Sequence, residues 1–182
     1  FYTTLSQNGN VISTSFTHAT FTLNDSQTYA VTVGNYGRYA FSHWLHTEST
    51  DSTRTVSITQ DTTITAIYAP VQDPTKTSVA CHAGLLGEVI CTSTVSDTAS
   101  DPLAPIGSVD FKGSSITGAS SVASCVLSSS SSSTASCTVQ FSPVEVGPFK
   151  VTAAYGGDAF HLSSRGSETL TCVVLSCTRG LV

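Results

Sequence analysis

Apolar and polar residues alternate along most of this chain with a period of two. The clearest run is Phe149, Val151, Ala153 and Tyr155, which are separated by polar or small residues. Such alternation predicts a strand with one buried face. The segment 156–158, Gly-Gly-Asp, predicts a tight hairpin turn, and a second strand is predicted over 168–173.

The N-terminal part carries the same pattern in shorter runs. Asn8-Gly9, a strong hairpin signal, separates runs at 1–6 and 11–16. No segment keeps a helical period for longer than a turn or two. The chain is therefore predicted to be all-β, with further strands in its first part at 20–23, 29–33, 39–45, 55–59 and 63–68.

A change of composition divides the chain. Residues 70–76 contain Pro70 and Pro74 and show no apolar periodicity. This predicts a linker between a domain at 1–69 and a second domain at 77–182. We expect two tandem small β domains.

Charge is sparse. Charged residues make up 10% of the chain and the formal net charge is −5. This balance gives no basic footprint for nucleic acid or an anionic membrane surface. No apolar run approaches the roughly 18 residues of a membrane span, so none is expected. The chain starts without a signal peptide, so we expect that a leader was removed or that the chain is part of a longer product.

Six cysteines point to disulfides. Their spacing fits no zinc-binding motif, and an even number in a weakly charged chain favours an oxidising compartment, outside the cell at its surface. Spacing favours Cys81–Cys91, which would bracket a turn at 84–87, and Cys125–Cys137. Cys172 and Cys177 leave two alternatives. They bond to each other if the chain turns after the last strand, or they bond to another subunit, because residues an odd number apart on one strand face opposite sides.

The second domain resembles a known family. The segments that carry the resemblance are 147–161 with 167–171 at the end, and 77–81, 87–97 and 105–111 before them. They resemble the immunoglobulin-like repeat domains of bacterial and archaeal surface proteins, over nearly the whole domain. The resemblance implies a Greek-key sandwich of about seven strands, followed here by a C-terminal extension at 173–182. It also implies a mechanical role, usually without chemistry.

The first domain resembles another module. Tyr39, Phe41 and Trp44 form an aromatic row, which the segment 56–68 follows, and 29–33 precedes it. This pattern resembles the divergent internalin-type B repeat of secreted and surface proteins. The resemblance implies an aromatic core between facing sheets. Members of that family usually have a further strand before the position of Phe1, so we expect a sheet that lacks one strand.

Few residues are candidates for chemistry. His43 and His46 flank Trp44, but on a strand they face opposite sides, so we expect no metal site there. Asp97 and Asp101 could supply oxygens to calcium, although their spacing matches no known calcium loop. No nucleophile elbow or phosphate-binding loop is present in the sequence. We therefore expect no enzyme activity, no metal and no cofactor.

Two segments favour glycosylation. Asn24-Asp25-Ser26 is an N-glycosylation sequon in a predicted turn, with Asn24 as the acceptor. The serine run at 128–133, with Thr134, is a candidate O-glycosylated loop.

These features favour a structural subunit of an extracellular, pilus-like filament or other cell-surface array, more readily archaeal than bacterial. A sheet that lacks a strand exposes backbone that a neighbour's strand can complete, so assembly by β-strand exchange is expected. The expected partners are copies of the chain itself, with other surface proteins or glycans besides. Two alternatives stay open: an adhesin or carbohydrate-binding module, in which Tyr36 stacks on sugars, and a spacer of a larger secreted protein.

Overall fold

The computed structural model describes residues 1–84, 88–115, 120–142, 146–173 and 176–179. These residues form β-strands β1 to β15 and no helix. Every ladder between named strands is antiparallel. The all-β prediction is therefore confirmed. The chain divides into two compact units, Phe1–Val71 and Gln72–Val182.

Unit 1 contains two sheets. Asn8 and Gly9, with φ angles of 49° and 80°, make its first hairpin turn. Its strands are β1 (Tyr2–Gln7), β2 (Asn10–Phe16), β3 (Gln27–Val33), β4 (Tyr39–Trp44), β5 (Thr53–Ile58) and β6 (Ala66–Pro70). Sheet I has the order β2-β1-β3-β5, and sheet II pairs β4 with β6. The first strand of the chain, β1, is therefore a central strand with a partner on each side.

Alternate residues of these strands build the core of unit 1. Leu5, Tyr29, Val33 and Trp44 are buried. The indole N–H of Trp44 donates a hydrogen bond of 2.8 Å to the carbonyl oxygen of Asp51. Burial of the large ring therefore leaves its polar atom satisfied.

Unit 2 also contains two sheets. Its strands are β7 (Thr75–Ala83), β8 (Val89–Asp97), β9 (Ser108–Ser115), β10 (Ser120–Val126), β11 (Ser128–Ser129), β12 (Thr134–Phe141), β13 (Gly147–Tyr155), β14 (Ser164–Val173) and β15 (Ser176–Arg179). Sheet III has the order β11-β12-β8-β7, and sheet IV has the order β10-β9-β13-β14-β15.

The sheets of unit 2 share one apolar core. Val95 from sheet III and Val109 from sheet IV are both fully buried in it. The rings of Phe141 and Phe149, one from each sheet, meet edge to face with centroids 5.8 Å apart. The alternating run that starts at Phe149 is buried at every second residue, as its pattern predicts.

On one side the two sheets also meet through backbone. The backbone N–H of Cys81 on β7 donates to the carboxylate of Glu168 on β14. A Cβ at Gly166 would lie 2.4 Å from the carbonyl oxygen of Thr77, so only glycine allows this approach.

The predicted strand at 20–23 does not form. Phe21 and Leu23 are half-buried while Thr20 and Thr22 are exposed, yet the segment belongs to no ladder. Its alternation therefore reflects packing of a non-strand segment, which has the same sequence signature as a half-buried strand.

The predicted linker, 70–76, is mostly taken up by paired backbone. Pro70 ends β6 and Thr75 begins β7. Between them, the backbone N–H of Asp73 donates to the carbonyl oxygen of Phe160, and its own carbonyl accepts from Leu162 N–H. Pro70 fits here because proline is tolerated in edge strands. The turn predicted at 84–87 falls on residues 85–87, and the C-terminal extension partly on 174–175 and 180–182, outside the described residues.

The core of unit 2 gives a direct test. We predict that Leu170→Ala, at a side chain with 0% exposure, lowers the free energy of unfolding by about 2–5 kcal/mol, because it leaves a cavity. Leu162→Ala makes the same change at a residue that is 47% exposed and should cost well under half as much. Urea unfolding of both variants measures the difference, and equal losses would contradict the placement of the core.

Candidate functional site

A buried cluster of polar side chains lies at one end of unit 2. Asp97 is the last residue of β8, Tyr155 is the last residue of β13, and Asp158 and His161 follow β13. His161 and Asp97 are almost wholly inaccessible, with side-chain exposures of 1% and 0%, and Asp158 is 10% exposed.

The two carboxylates hold backbone of both loops at this end. Asp97 accepts hydrogen bonds from the N–H groups of Ala99 (2.8 Å) and Leu103 (2.7 Å). Asp158 accepts from Ile106 N–H (3.0 Å) and Phe160 N–H (2.8 Å). Each carboxylate thus orders an irregular segment that lies outside the named strands.

His161 joins the two carboxylates. Its Nδ1 lies 2.8 Å from the Asp158 carboxylate, and its Nε2 lies 3.0 Å from the carbonyl oxygen of Leu103 and 3.4 Å from Oδ2 of Asp97. Both ring nitrogens therefore face acceptors that carry no proton. His161 thus connects the Asp158 carboxylate to Asp97 and to the Leu103 carbonyl through its two ring nitrogens.

The same contacts shift pKa values. Burial acts to raise the pKa of Asp158, but hydrogen bonds from Ile106, Phe160, His161 and Tyr155 outweigh it and lower this pKa to about 2. For Asp97, burial is likewise outweighed by the N–H groups of Ala99 and Leu103 and by His161, so its pKa is lowered. Burial first, and then Asp158, raise the pKa of Tyr155, whose hydroxyl donates to Asp158 at 2.8 Å.

This cluster corrects the sequence analysis at Asp158. The sequence predicts a tight hairpin turn at 156–158, but β13 and β14 are joined by the longer segment 156–163. Asp158 orders that connection through His161. The spacing Asp-x-x-His was visible in the sequence, but turn chemistry alone accounted for the aspartate. The partner Asp97 is far away in sequence, so no local motif reveals it.

The cluster predicts acid lability. The pKa of Asp158 is about 2 in the folded chain and about 3.9 for an ordinary aspartate, so its stabilisation is present above about pH 4 and is lost as pH falls towards 2. We predict that Asp158→Asn lowers stability at pH 7 by about 3 kcal/mol, because it leaves His161 without its charged partner. It should also flatten the fall in stability between pH 4 and pH 2. Urea unfolding at both pH values measures this.

Asp110→Asn is the matched control, since Asp110 is an exposed aspartate on β9. It should change stability by less than about 0.5 kcal/mol and keep the acid-induced loss. If Asp158→Asn behaved like this control, the cluster would not stabilise unit 2.

Three disulfides lie in unit 2. Cys81–Cys91 joins neighbouring strands β7 and β8, and Cys172–Cys177 joins β14 and β15. Cys172 and Cys177 lie directly opposite each other on the antiparallel strands β14 and β15, so the opposite-face argument for one extended strand does not apply to them. Cys125–Cys137 joins β10 to β12 and thus links the two sheets.

Most strand edges of the described chain are protected. Charged residues or proline lie on β5, β6 and β7, namely Arg54, Pro70 and Lys76, and β15 has only four residues. On β4, the N–H groups of Phe41 and Trp44 donate to Asn35 Oδ1 and to the carbonyl of Ser49. β11 has two residues. Such features discourage pairing with another chain.

Among the described strands, two further edges carry neither charged residues nor proline, and one of them, β2, contains a bulge. β2 and β10 each have seven residues, without charge or proline, and each forms the end of its sheet. Their apolar side chains are turned to solvent: Val11 is 62% exposed, Phe16 65%, Val122 81% and Val126 77%. In the part of the chain that the structure describes, both edges present backbone without a strand partner next to exposed apolar side chains.

The other predicted site residues do not come together. Asn24 is exposed beside a turn. His43 Nδ1 lies 3.0 Å from Ser42 Oγ, whereas His46 lies in the turn after β4. Tyr36 is 64% exposed. Asp101 is exposed, and Asp97 serves the buried cluster instead.

The serine run at 128–133 is more ordered than a loop. Its first two residues form β11, and Ser130 N–H donates to the carbonyl oxygen of Thr134 at 2.9 Å. Ser131 Oγ lies 2.8 Å from Thr134 Oγ1. Hydroxyl groups of the run thus hydrogen-bond within it and support a hairpin with β12.

The described residues show neither a cluster suited to a metal ion nor a helix that could span a membrane. They contain no group of three or more His, Cys, Asp or Glu side chains placed to hold a metal ion. None of their segments is a helix long and apolar enough to cross a membrane. No protein-family profile, curated protein or solved structure matches the chain.

Proposed function

We propose that this chain is a structural subunit of an extracellular filament or other surface array, in which β-strands of neighbouring copies pair. The observation that carries the proposal is the pair of unblocked edges, β2 and β10. Natural sheet proteins usually protect long edge strands, because unpaired N–H and C=O groups recruit strands of other chains. An edge left open next to exposed Phe16 or Val122 is suited to pairing.

Copies join through their edges, and neither β1 nor β15 leaves its own sheet. β1 has ladders on both sides, to β2 and to β3. β15 is tied to β14 by the Cys172–Cys177 disulfide. Moving either strand to a neighbour would break these contacts, whereas adding a strand at an open edge breaks none.

The disulfides support a place outside the cell. Three disulfides in one small unit are typical of proteins from oxidising compartments. Secretion also agrees with the exposed sequon at Asn24, where we propose that a glycan is attached.

The strand order of unit 2 supports an immunoglobulin-like Greek-key sandwich. The chain passes from sheet III to sheet IV between β8 and β9, and returns to sheet III after β10. It crosses again between β12 and β13. We also propose that unit 1 is an internalin-type repeat. Trp44 of its aromatic row is buried, and its ring centroid lies 5.2 Å from that of Phe41. Such domains serve as mechanical parts.

We propose no catalytic role. The ionisable groups of Asp97, Asp158 and His161 are turned to one another and to backbone, with exposures of 10% or less. A substrate could not reach them without unfolding both loops. Their contribution is to stability.

Electron microscopy tests the proposal. We predict that the purified, disulfide-bonded chain forms fibres or lattices as its concentration rises, and that light scattering follows their growth. Phe16→Lys should suppress them, because a charge on the open face of β2 opposes pairing. Thr28→Lys adds the same charge at an exposed position of β3, which lies in sheet I but away from that edge. This variant should assemble normally. A wild-type chain that stays monomeric at every concentration would contradict the proposed function.

A further inference from the structure

The backbone groups of β2 that point away from its own sheet can be identified from one hydrogen bond. Thr17 N–H donates to the carbonyl oxygen of Phe1 at 2.8 Å, so this pair is a hydrogen-bonded position of the β1–β2 ladder. Such positions alternate along an antiparallel pair. Phe16 and Thr14, opposite Tyr2 and Thr4, therefore turn their N–H and C=O groups to the free edge.

A bulge keeps Val11 in the same series. Val11 lies opposite Ser6, and the ladder shifts by one residue between Leu5 and Ser6. The partners of Phe16, Thr14 and Val11 on β1 are thus evenly spaced, at Tyr2, Thr4 and Ser6. The free edge of β2 presents an apolar, a hydroxyl and an apolar side chain in turn, all on the outer face of sheet I.

β10 presents the same series. Leu127 N–H donates to the carbonyl oxygen of Gly107 at 2.9 Å, which sets the alternation of the β9–β10 ladder. Val126, Ser124 and Val122, opposite Ser108, Asp110 and Lys112, then turn their backbone groups to the free edge. Their side chains lie on the outer face of sheet IV and again read apolar, hydroxyl, apolar.

We propose that β2 of one copy pairs antiparallel with β10 of the next, with Phe16 opposite Val122, Thr14 opposite Ser124 and Val11 opposite Val126. In this register the outward N–H and C=O groups of each facing pair exchange hydrogen bonds, and both apolar pairs lie on one face. Within its own chain, the Phe16 carbonyl oxygen accepts a long hydrogen bond of 3.4 Å from Ser15 Oγ. A parallel pairing would place the apolar residues of the two strands on opposite faces.

The strand pair between β2 of one copy and β10 of the next is called the joint. It rests on the proposed function and is the contact through which copies would assemble. It is heterologous, because β2 and β10 are different surfaces, and a heterologous contact that does not close into a ring propagates into a fibre. Two-fold pairing of β2 with β2, or of β10 with β10, would instead stop at a pair unless both joints formed. One kind of joint between β2 and β10 uses both open edges of every copy.

Proline at the centre of each edge tests the joint. Thr14→Pro and Ser124→Pro each remove an N–H that faces solvent in the single chain, so the sheet of the single chain tolerates them while pairing is blocked. We predict that each variant alone is monomeric in sedimentation experiments. An equimolar mixture should give a species of two chains and nothing longer, because the β2 edge of Ser124→Pro meets the β10 edge of Thr14→Pro. A strand pair is small beside the roughly 1,600 Å² of a stable interface, so a concentration series is needed.

Matched controls separate the joint from the fold. Thr14→Val and Ser124→Thr keep the N–H and should assemble as the wild type does. Near-ultraviolet circular dichroism checks that the proline variants are folded. The single variants Thr14→Lys and Ser124→Lys, alone and mixed, repeat the experiment with a charge in place of proline.

The outcomes are distinct. If Ser124→Pro alone forms pairs and Thr14→Pro does not, the joint is a two-fold contact of β2 and the proposed pairing is wrong. A mixture that stays monomeric also overturns it. If both variants still polymerise, the joint is elsewhere although the filament function stands. If the wild type never assembles, the function itself fails.

Discussion

The proposed assembly depends on one constraint, which is that the backbone groups on the outer side of an edge strand have no strand partner. Each β-strand carries N–H and C=O groups on both sides, and at the end of a sheet one side has no strand partner. Charged side chains often protect such edges from pairing, and this chain has few of them. Here Arg54, Pro70 and Lys76 mark some edges and loops cover another, while β2 and β10 are left open. The proposed assembly through these two strands would pair the backbone groups that folding leaves without a strand partner.

The rest of the structure holds these edges in place. β10 is fixed to the opposite sheet by the Cys125–Cys137 disulfide, and its neighbour β9 supplies buried Val109 and Phe111 to the core. β2 is fixed by its hairpin turn at Asn8-Gly9 and by its ladder with β1. An edge that is already rigid loses little conformational entropy when another strand is added. The buried cluster of Asp97, Asp158 and His161 orders the segments that follow β8 and β13.

Local patterns in the sequence were enough to predict strands, but not to predict which strands or side chains lie next to one another. The alternation at Phe149–Tyr155 and the hairpin signal at Asn8-Gly9 both depend on nearby residues, and both correspond to strands or turns in the structure. The segment 20–23 shows the limit, since packing alone can produce the same alternation. The pairing of His161 with Asp97, and the order that leaves β2 and β10 at sheet ends, depend on contacts between distant residues. No periodicity carries that information.

Amide hydrogen exchange of the wild-type chain, in dilute and in concentrated solution, reports on the outward N–H groups of β2 and β10 themselves. We expect the amides of Val11, Thr14 and Phe16 to gain protection on concentration together with those of Val122, Ser124 and Val126, while amides at the other edges do not. Assembly without added protection in β2 and β10 would contradict the proposed joint.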